Sequence, residues 1–212
     1  MRKYNNFTGF LFINDDVLLN PWTLYGLNQD KIWEGPKWPI TIGNFSKTNR
    51  WYWWESRWGV KKCSKARQEA YEKFPQIFLN PGGESSVYNE EERFGCFRGR
   101  SDVVYIPNRL SSKFVQLSKL FYKHDVFLEI ALPTILRMLE ESINYVYLNG
   151  IYLPGRVNAT FIRNASYLWR YYDDKINFIH PVKLNYADDA QITNKVILNT
   201  FIKNKFDSFT TC

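Results

Sequence analysis

The stretch Ser101–Ile143, SDVVYIPNRLSSKFVQLSKLFYKHDVFLEIALPTILRMLEESI, carries the most regular pattern of the chain. Its β-branched and aromatic residues at Val103–Ile106 predict a strand. Apolar residues then recur at helical spacing and predict two helices, the first with the face Phe114, Leu117, Leu120 and Phe121 and the second with the face Val126, Ile130, Ile135, Leu136 and Leu139. We expect both helices to bury these faces against a sheet, with a kink or break at Pro133. Strands that alternate with helices indicate the α/β class.

The second of these helices is predicted to begin near Asp125. Aspartate is a favoured N-cap residue, and Glu129 would then lie one turn further along the same face. Carboxylates at a helix start interact favourably with the helix dipole, which is the more common role for Asp125 considered alone. In an enzyme they would instead accept a proton from a hydroxyl group of a substrate. Asp125 and Glu129 are therefore the candidate catalytic residues.

A second informative stretch is Gly9–Trp22, GFLFINDDVLLNPW, in which an apolar strand runs into two adjacent carboxylates. We expect this strand to be buried and to share a sheet with Val103–Ile106. Ligands of α/β proteins bind beyond the carboxyl ends of strands, which is where Asp15 and Asp16 lie. Two like charges repel each other unless a cation lies between them, so a divalent metal, an arginine and plain water are the candidates for what faces them. On this pair alone, an Asx-type turn is the more common explanation, and a metal that bridges a substrate diphosphate is the other.

One of the two histidines adds a candidate metal ligand. His180 follows the strand-like residues NFI and precedes Pro181. A histidine there is often structural, but a neutral imidazole at a strand end is also a good ligand for a divalent metal. If Asp16 and His180 share a metal, we expect their side chains to lie within about two side-chain lengths of each other, because metal–ligand distances are only about 2.0–2.6 Å. Asp125 or Glu129 should then face the same cleft.

The composition is basic and rich in aromatic residues. Aromatic residues make up 18% of the chain, and the formal net charge is +7. The charge favours an anionic partner, and the segment Trp51–Trp58 would either stack on flat ligands such as sugars or pack a core. Nucleic acid is the least favoured partner, since no recognised nucleic-acid motif is present and the acidic pair would repel a phosphate backbone. The candidate substrate-binding residues are Trp22, Trp33, Trp53, Trp54 and Arg100.

The signals about the cellular compartment are mixed. The sequence contains no run of about 18 apolar residues that would span a membrane, and its start lacks the apolar core of a signal peptide. Four Asn-x-Ser/Thr sequons mildly favour a lumenal or secreted setting, namely Asn6, Asn44, Asn158 and Asn164. The three cysteines lack metal-binding spacing, and an oxidising compartment would allow a disulfide between Cys63 and Cys96.

The order of these features resembles the glycosyltransferase A-type plan, in which an acidic motif after a strand precedes a glycine-flanked strand, an acidic helix start and a C-terminal histidine. More closely, two segments resemble the STELLO family of glycosyltransferase-like proteins and its animal relatives, namely GFLFINDDVLLNPWTLYGLNQDKIW (Gly9–Trp33) and SDVVYIPNRLSSKFVQLSKLFYKHDVFLEIALPTIL (Ser101–Leu136). The resemblance covers about residues 9–140, and the tail more loosely. It implies a mixed sheet flanked by helices and a protein of the Golgi lumen or the secretory pathway.

For function, the resemblance implies a metal-dependent glycosyltransferase that transfers a sugar from a nucleotide-sugar donor to a glycan or protein acceptor. Asp15, Asp16 and His180 would hold Mn²⁺ or Mg²⁺ against the donor diphosphate, where the metal stabilises charge on the leaving group. Asp125 or Glu129 would act as the base or orient the acceptor. Nucleic acid takes no part, and a membrane is involved only through an N-terminal anchor outside this sequence.

One departure from the plan gives the alternative function. Glycosyltransferases of this plan carry a nucleotide-binding half before the acidic motif, whereas eight residues precede Gly9. We therefore expect a single glycosyltransferase-like domain over residues 1–212 that lacks this half and ends in a helical tail over 186–212. It is either a fragment of a longer, anchored protein or a cut-down fold. The alternative is a non-catalytic glycosyltransferase-like scaffold or partner protein, which would bind neither metal nor nucleotide.

Overall fold

A computed structural model of the chain describes residues 7–35, 51–78, 95–153, 175–187 and 191–210. The described strands are β1 (Gly9–Ile13), β2 (Leu18–Leu19), β3 (Ile32–Glu34), β4 (Val103–Pro107), β5 (Tyr145–Tyr147), β6 (Gly150–Tyr152) and β7 (Phe178–His180). The described α-helices are α1 (Tyr52–Glu55), α2 (Val60–Lys73), α3 (Pro75–Phe78), α4 (Asn108–Lys123), α5 (Leu128–Leu139) and α6 (Asn194–Thr210). Short 3-10 helices cover Pro21–Leu24 and Ser142–Asn144. The predicted α/β class is confirmed, and the mixed sheets with helices are consistent with a glycosyltransferase A-like fold.

The chain divides into two compact units. The first unit consists of Met1–Ile13 and Leu27–Leu148, and the second consists of Asn14–Gly26 and Asn149–Cys212. The segment Asn14–Gly26, called the acidic segment because it contains Asp15 and Asp16, therefore belongs to the unit that contains His180 and the C-terminal part of the chain. That the whole chain forms a single domain stays a prediction.

The expectations about the compartment are little affected by the structure. The asparagines of the four sequons lie outside the described residues. Within the described ranges, no helix combines the length and the apolar character that crossing a membrane requires.

The sheet of the first unit has the strand order β1-β4-β3-β5. The strands β1 and β3 run antiparallel to β4 on its two sides, and β5 pairs in parallel with β3. All five residues of β4 are buried. Phe10–Ile13 pair residue by residue with Val103–Ile106, which confirms the prediction that these two strands share a sheet.

The helices α4 and α5 pack their apolar faces into the core of the first unit. Phe121 and Leu136 are only 1% and 0% exposed, which confirms that the predicted faces are buried. Leu136 lies in a cluster with Val104 and Ile106 of β4, and Phe121 lies in a cluster with Cys63 of α2. Because burying a side chain of this size contributes about 1.5–3 kcal/mol, these clusters hold the helices in place.

A disulfide joins α2 to the segment before β4. It links Cys63 to Cys96, as expected, and both residues are fully buried. Beside it, the guanidinium of Arg67 donates a hydrogen bond to the carbonyl of Gly95. The segment that leads into β4 is therefore tied to the helical layer by a covalent bond and a polar contact.

The helix α5 continues through Pro133 without a break. Proline has no N–H to donate to the carbonyl four residues earlier, which here belongs to Glu129. The N–H of Gly99 donates to that carbonyl instead, at 3.1 Å. The helix is thus not interrupted, because a neighbouring segment supplies the donor that proline lacks.

The strand β1 lies at the edge of its sheet, so the expectation of a buried first strand is wrong. Leu11, Phe12 and Ile13 are 38%, 40% and 39% exposed. Among the described strands, β4 is the one neighbour of β1. A continuous apolar run predicts a strand, but it does not fix the position of that strand in the sheet, which depends on pairing with distant segments.

The predicted N-cap role of Asp125 is also wrong. The helix α5 begins at Leu128, and Asp125 instead follows the end of α4 in the left-handed conformation, with φ 52°. Two hydrogen bonds define a Schellman motif there, from the N–H of Asp125 to the carbonyl of Tyr122 (2.9 Å) and from the N–H of Val126 to the carbonyl of Phe121 (3.2 Å). Asp125 and Glu129 therefore do not share one helical face.

The sheet of the second unit has the strand order β2-β7-β6. The strand β2 is antiparallel to β7, with Leu18 opposite Ile179, and β6 is parallel to β7. The core of this unit is formed by Leu18, Leu153, Ile176, Ile179 and Val182. The pairing of β2 with β7 brings the acidic segment beside the residues that follow β7.

Candidate functional site

Backbone contacts of the second unit position Asp16. The chain turns before β2, where the N–H of Val17 donates to the carbonyl of Asn14 at 3.2 Å. The N–H of Val182 donates to the carbonyl of Asp16 at 2.7 Å. Asp16 is therefore fixed beside the chain that leaves β7, where the His180–Pro181 peptide bond is cis.

The carboxylate of Asp16 contacts two basic side chains. Its Oδ1 lies 3.0 Å from Nε2 of His180, and Nζ of Lys183 donates to its Oδ2 at 2.6 Å. The side chains of Asp16 and His180 are about one-fifth exposed. The expectation that Asp16 and His180 lie within two side-chain lengths is confirmed, whereas their role as metal ligands stays a prediction.

The charge state of Asp16 follows from these neighbours. Burial alone would raise the pKa of Asp16, but the hydrogen bond from Lys183 and the charges of His180 and Lys183 together bring this pKa below its ordinary value of 3.8. Asp16 is therefore an anion at neutral pH. A metal ligand and an ion-pair partner both require that state.

Lys183 was not among the predicted site residues. The available signal was its position three residues after His180, where the chain has just left a strand end. None of the three candidates that could face the acidic pair is needed to balance Asp16, because a lysine and a histidine contact its two oxygens.

Asp16 and His180 are residue types that could serve as two ligands of a divalent metal if a phosphorylated substrate supplied the others. A carboxylate oxygen beside an imidazole nitrogen suits Mn²⁺ better than Mg²⁺, which takes mainly oxygen ligands. Among the described residues, no group of three or more His, Cys, Asp or Glu side chains could hold a metal ion. One or two protein ligands suffice, however, where substrate phosphates supply the others. Lys183 would have to release Asp16, and it is exposed enough, at 41%, to move into solvent.

The remaining candidates of the second unit lie nearer its surface. Asp15 is exposed, and Trp22 is half-buried in the 3-10 helix Pro21–Leu24. The structure therefore brings together Asp16 and His180 but gives Asp15 a solvent-facing position. The roles of Asp15 and Trp22 stay predictions.

In the first unit, Glu129 is a carboxyl group with altered acidity. It lies half-buried in the first turn of α5. Burial and then the negative charge of Asp102 raise the pKa of Glu129 above 4.5, while Arg100 partly offsets them. Asp102, only 3% exposed just before β4, was not predicted as a site residue. A carboxyl group with a raised pKa is better matched to proton exchange near neutral pH.

Asp125, the other catalytic candidate, has a different environment. Its side chain is 69% exposed, and its carboxylate lies 3.8 Å from Nζ of Lys62. Asp125 and Glu129 belong to the first unit, whereas Asp16 and His180 belong to the second. The predicted convergence of these groups on one cleft stays a prediction.

Two of the tryptophan candidates are part of the core. Trp33 and Trp54 are 5% and 4% exposed. Trp33 stacks on Tyr105 with ring centroids 4.1 Å apart, and its Nε1 donates to the carbonyl of Asn28 at 2.7 Å. Side chains so enclosed have little surface to offer a sugar, so packing accounts for these two tryptophans. Trp53, by contrast, is half-buried at the surface.

The two mixed sheets and their helices are consistent with a glycosyltransferase A-like α/β fold. The chain is 25% identical over 187 residues to "Probable glycosyltransferase STELLO1" of Arabidopsis thaliana, which covers 88% of this chain and 23% of that protein. It is 24% identical over 147 residues to "Probable glycosyltransferase STELLO2" of the same plant, which covers 68% of this chain and 18% of that protein. These similarities confirm the resemblance to the STELLO family.

The chain spans less than a quarter of the length of either relative. Both relatives are named probable glycosyltransferases. No protein-family model matches the chain, and no solved structure matches it.

Proposed function

We propose that this chain is a catalytic portion of a metal-dependent glycosyltransferase, which transfers a sugar from a nucleotide-sugar donor to a glycan or protein acceptor. The contact of 3.0 Å between Asp16 and His180 carries the proposal. It joins a carboxylate at the end of the first strand to a histidine far along the chain, as a shared metal would require. The names of the relatives support the transferase class.

We also propose that the protein acts in the Golgi lumen or elsewhere in the secretory pathway. The disulfide between Cys63 and Cys96 supports an oxidising compartment, because disulfides are rare in proteins of the cytosol. The sequons of the sequence agree with that setting.

On the donor side, Asp16 and His180 would hold Mn²⁺ or Mg²⁺, with Asp15 beside them. The metal, when bound, stabilises negative charge on the diphosphate leaving group. Asp16 contributes a full negative charge at neutral pH, because its pKa is lowered. Lys183, once released from Asp16, offers its ammonium group to the same phosphates.

On the acceptor side, Glu129 is the better candidate for the base and Asp125 for the group that orients the acceptor. Burial beside Asp102 raises the pKa of Glu129, so that its carboxylate holds a proton more readily than an exposed one. Asp125 is exposed and can accept a hydrogen bond from a substrate hydroxyl. The transfer rate should rise with pH through the raised pKa of Glu129, since only the deprotonated form accepts a proton.

One observation favours the non-catalytic scaffold as the second candidate. Lys183 already balances the charge of Asp16 at 2.6 Å, so the pair would also serve as a purely structural link. In that case the carboxylate would have no need of a metal.

Calorimetric titration with Mn²⁺ in the presence of uridine diphosphate separates the two candidates. After the heat of Mn²⁺ binding to uridine diphosphate alone is subtracted, we expect heat of binding for the unmodified chain and for the Asp30→Asn control, which alters an exposed aspartate of the first unit, and none for Asp16→Asn. Equal heats in the chain and in Asp16→Asn, or no heat in any variant, would remove the metal-dependent function and leave the scaffold.

A further inference from the structure

An open cavity of about 440 Å³ lies on the first unit. Pockets for small ligands typically enclose about 300–1,000 Å³. The aromatic rings of Trp53, Trp58, Tyr122 and Phe127 contribute to its walls, together with Asp125. It thus combines residues around α1 with the loop between α4 and α5.

The aromatic walls are held in place by contacts with one another. The rings of Trp53 and Phe127 stack with centroids 4.4 Å apart and planes 8° from parallel. The ring of Trp58 lies 6.0 Å from that of Trp53 at an angle of 46°. The N–H of Phe127 donates to the carbonyl of Trp58 at 2.9 Å, so the two segments are joined by their backbones as well. The cavity is therefore already formed, and a ligand need not order these rings first.

Charged groups stand beside the aromatic walls. Asp125 is 69% exposed and lies 3.8 Å from Lys62. The guanidinium of Arg57 lies 4.0 Å from the ring centroid of Trp58. Asp125 thus offers hydrogen-bond acceptors in the cavity wall, and Lys62 and Arg57 place donors next to wall residues.

We propose that this cavity binds a pyranose ring of a carbohydrate, as the acceptor-side subsite of the protein. A pyranose has apolar faces made of C–H groups and a rim of hydroxyls. The faces would pack on the aromatic walls, and the hydroxyls would bond to Asp125 and Lys62. The proposal deepens the proposed function and rests on it for the choice of a sugar as the occupant.

The test is an NMR titration of the chain with three probes: methyl β-D-glucopyranoside, methyl β-D-galactopyranoside and methyl β-D-xylopyranoside. We expect at least one of them to shift the indole N–H signals of Trp53 or Trp58, with a dissociation constant on the order of 1 mM, as expected for a ligand of this size. Sorbitol, which has hydroxyls but no ring face, should shift neither signal.

Variants separate the cavity from the rest of the surface. Trp58→Ala and Tyr122→Ala should each weaken binding about fivefold or more, through the lost aromatic contact. Tyr25→Ala, which removes a tyrosine that is 95% exposed in the second unit, should leave binding unchanged. Asp125→Asn should also weaken binding, and it keeps the backbone intact, because asparagine tolerates the left-handed conformation.

The absence of any shift with all three probes would overturn the proposal. Shifts equal to those caused by sorbitol, or unchanged affinity in a folded Trp58→Ala variant, would overturn it as well. The outcome is independent of the metal titration. Binding of Mn²⁺ without binding of sugar would refute only the sugar-binding role of the cavity. Binding of sugar without binding of Mn²⁺ would refute only the metal-dependent function.

Discussion

Because Asp125 is in the left-handed conformation, the variant Asp125→Gly should be more stable than the variant Asp125→Ala. With φ 52°, a residue that carries a Cβ is strained by about 1–2 kcal/mol, and Schellman motifs usually have glycine here. The variants Asp125→Gly and Asp125→Ala both lose the carboxylate and its contact with Lys62, so they differ only in the Cβ. Glycine is also more flexible than alanine in the unfolded chain, which offsets about 0.4–1 kcal/mol of this advantage. We therefore expect the glycine variant to be more stable by about 1 kcal/mol.

The assay is urea unfolding followed by tryptophan fluorescence. The first unit contains Trp33 and the aromatic segment Trp51–Trp58, so the signal reports mainly on the unit that holds Asp125. In thermal unfolding, a difference of about 1 kcal/mol corresponds to about 2–4 °C for a chain of this size. An alanine variant as stable as the glycine variant, or more stable, would show that the backbone at Asp125 is not left-handed, since alanine is favoured over glycine in a right-handed helix.

Three further changes test packing and electrostatics. Gly150→Ala places a Cβ against the buried ring of Phe178. The variant should therefore lose about 1–3 kcal/mol of its free energy of unfolding, measured by thermal unfolding. An unchanged unfolding midpoint would mean that the ring does not lie so close to Gly150. The folded-state pKa of Asp16 is lowered from 3.8, so its contribution to stability is present above that pH and is lost as the pH falls further. The unmodified chain should have a larger free energy of unfolding than Asp16→Asn, by at most about 1 kcal/mol for a partly exposed pair. This difference should shrink as the pH falls below 3.8, and a difference that stays constant would contradict the ion pair. Replacing both Cys63 and Cys96 by alanine opens a link across 33 residues and should cost about 3–4 kcal/mol in urea unfolding; equal stability would argue against the disulfide.

The periodic parts of the fold could be predicted because their signal is local. The spacing of Phe121 and Leu136 identifies buried helical faces, and β-branched residues identify β4. Asp125 could not be placed in this way, because aspartate is favoured at helix starts and also tolerated in the left-handed residue after a helix end. Only the backbone hydrogen bonds distinguish the two. The exposure of β1 could not be predicted from the sequence either, because it depends on which distant strands pair with β1.

The candidate site could be predicted in part for the same reason. Residues at or just beyond strand ends are readily recognised, and this local signal identifies both Asp16 and His180. The role of Lys183 depends on the register of β2 with β7, which no local pattern specifies. The number of tryptophans likewise says nothing about which of them are buried, and Trp54 proved to be a core residue.

The two histidines of the chain allow the most direct test of the metal centre. Each lies beside a carboxylate, His124 at 2.6 Å from Glu69 and His180 at 3.0 Å from Asp16. Glu69 also contacts two lysines, whose charge disfavours a dication there. The measurement is proton NMR of both imidazoles while Mn²⁺ is added below one equivalent with uridine diphosphate, since this paramagnetic ion broadens the signals of its ligands. We expect the His180 signals to broaden first in the chain and to lose this selectivity in Asp16→Asn. A His180 imidazole that broadens no more readily than that of His124, or that broadens equally in Asp16→Asn, would contradict a metal held by Asp16 and His180.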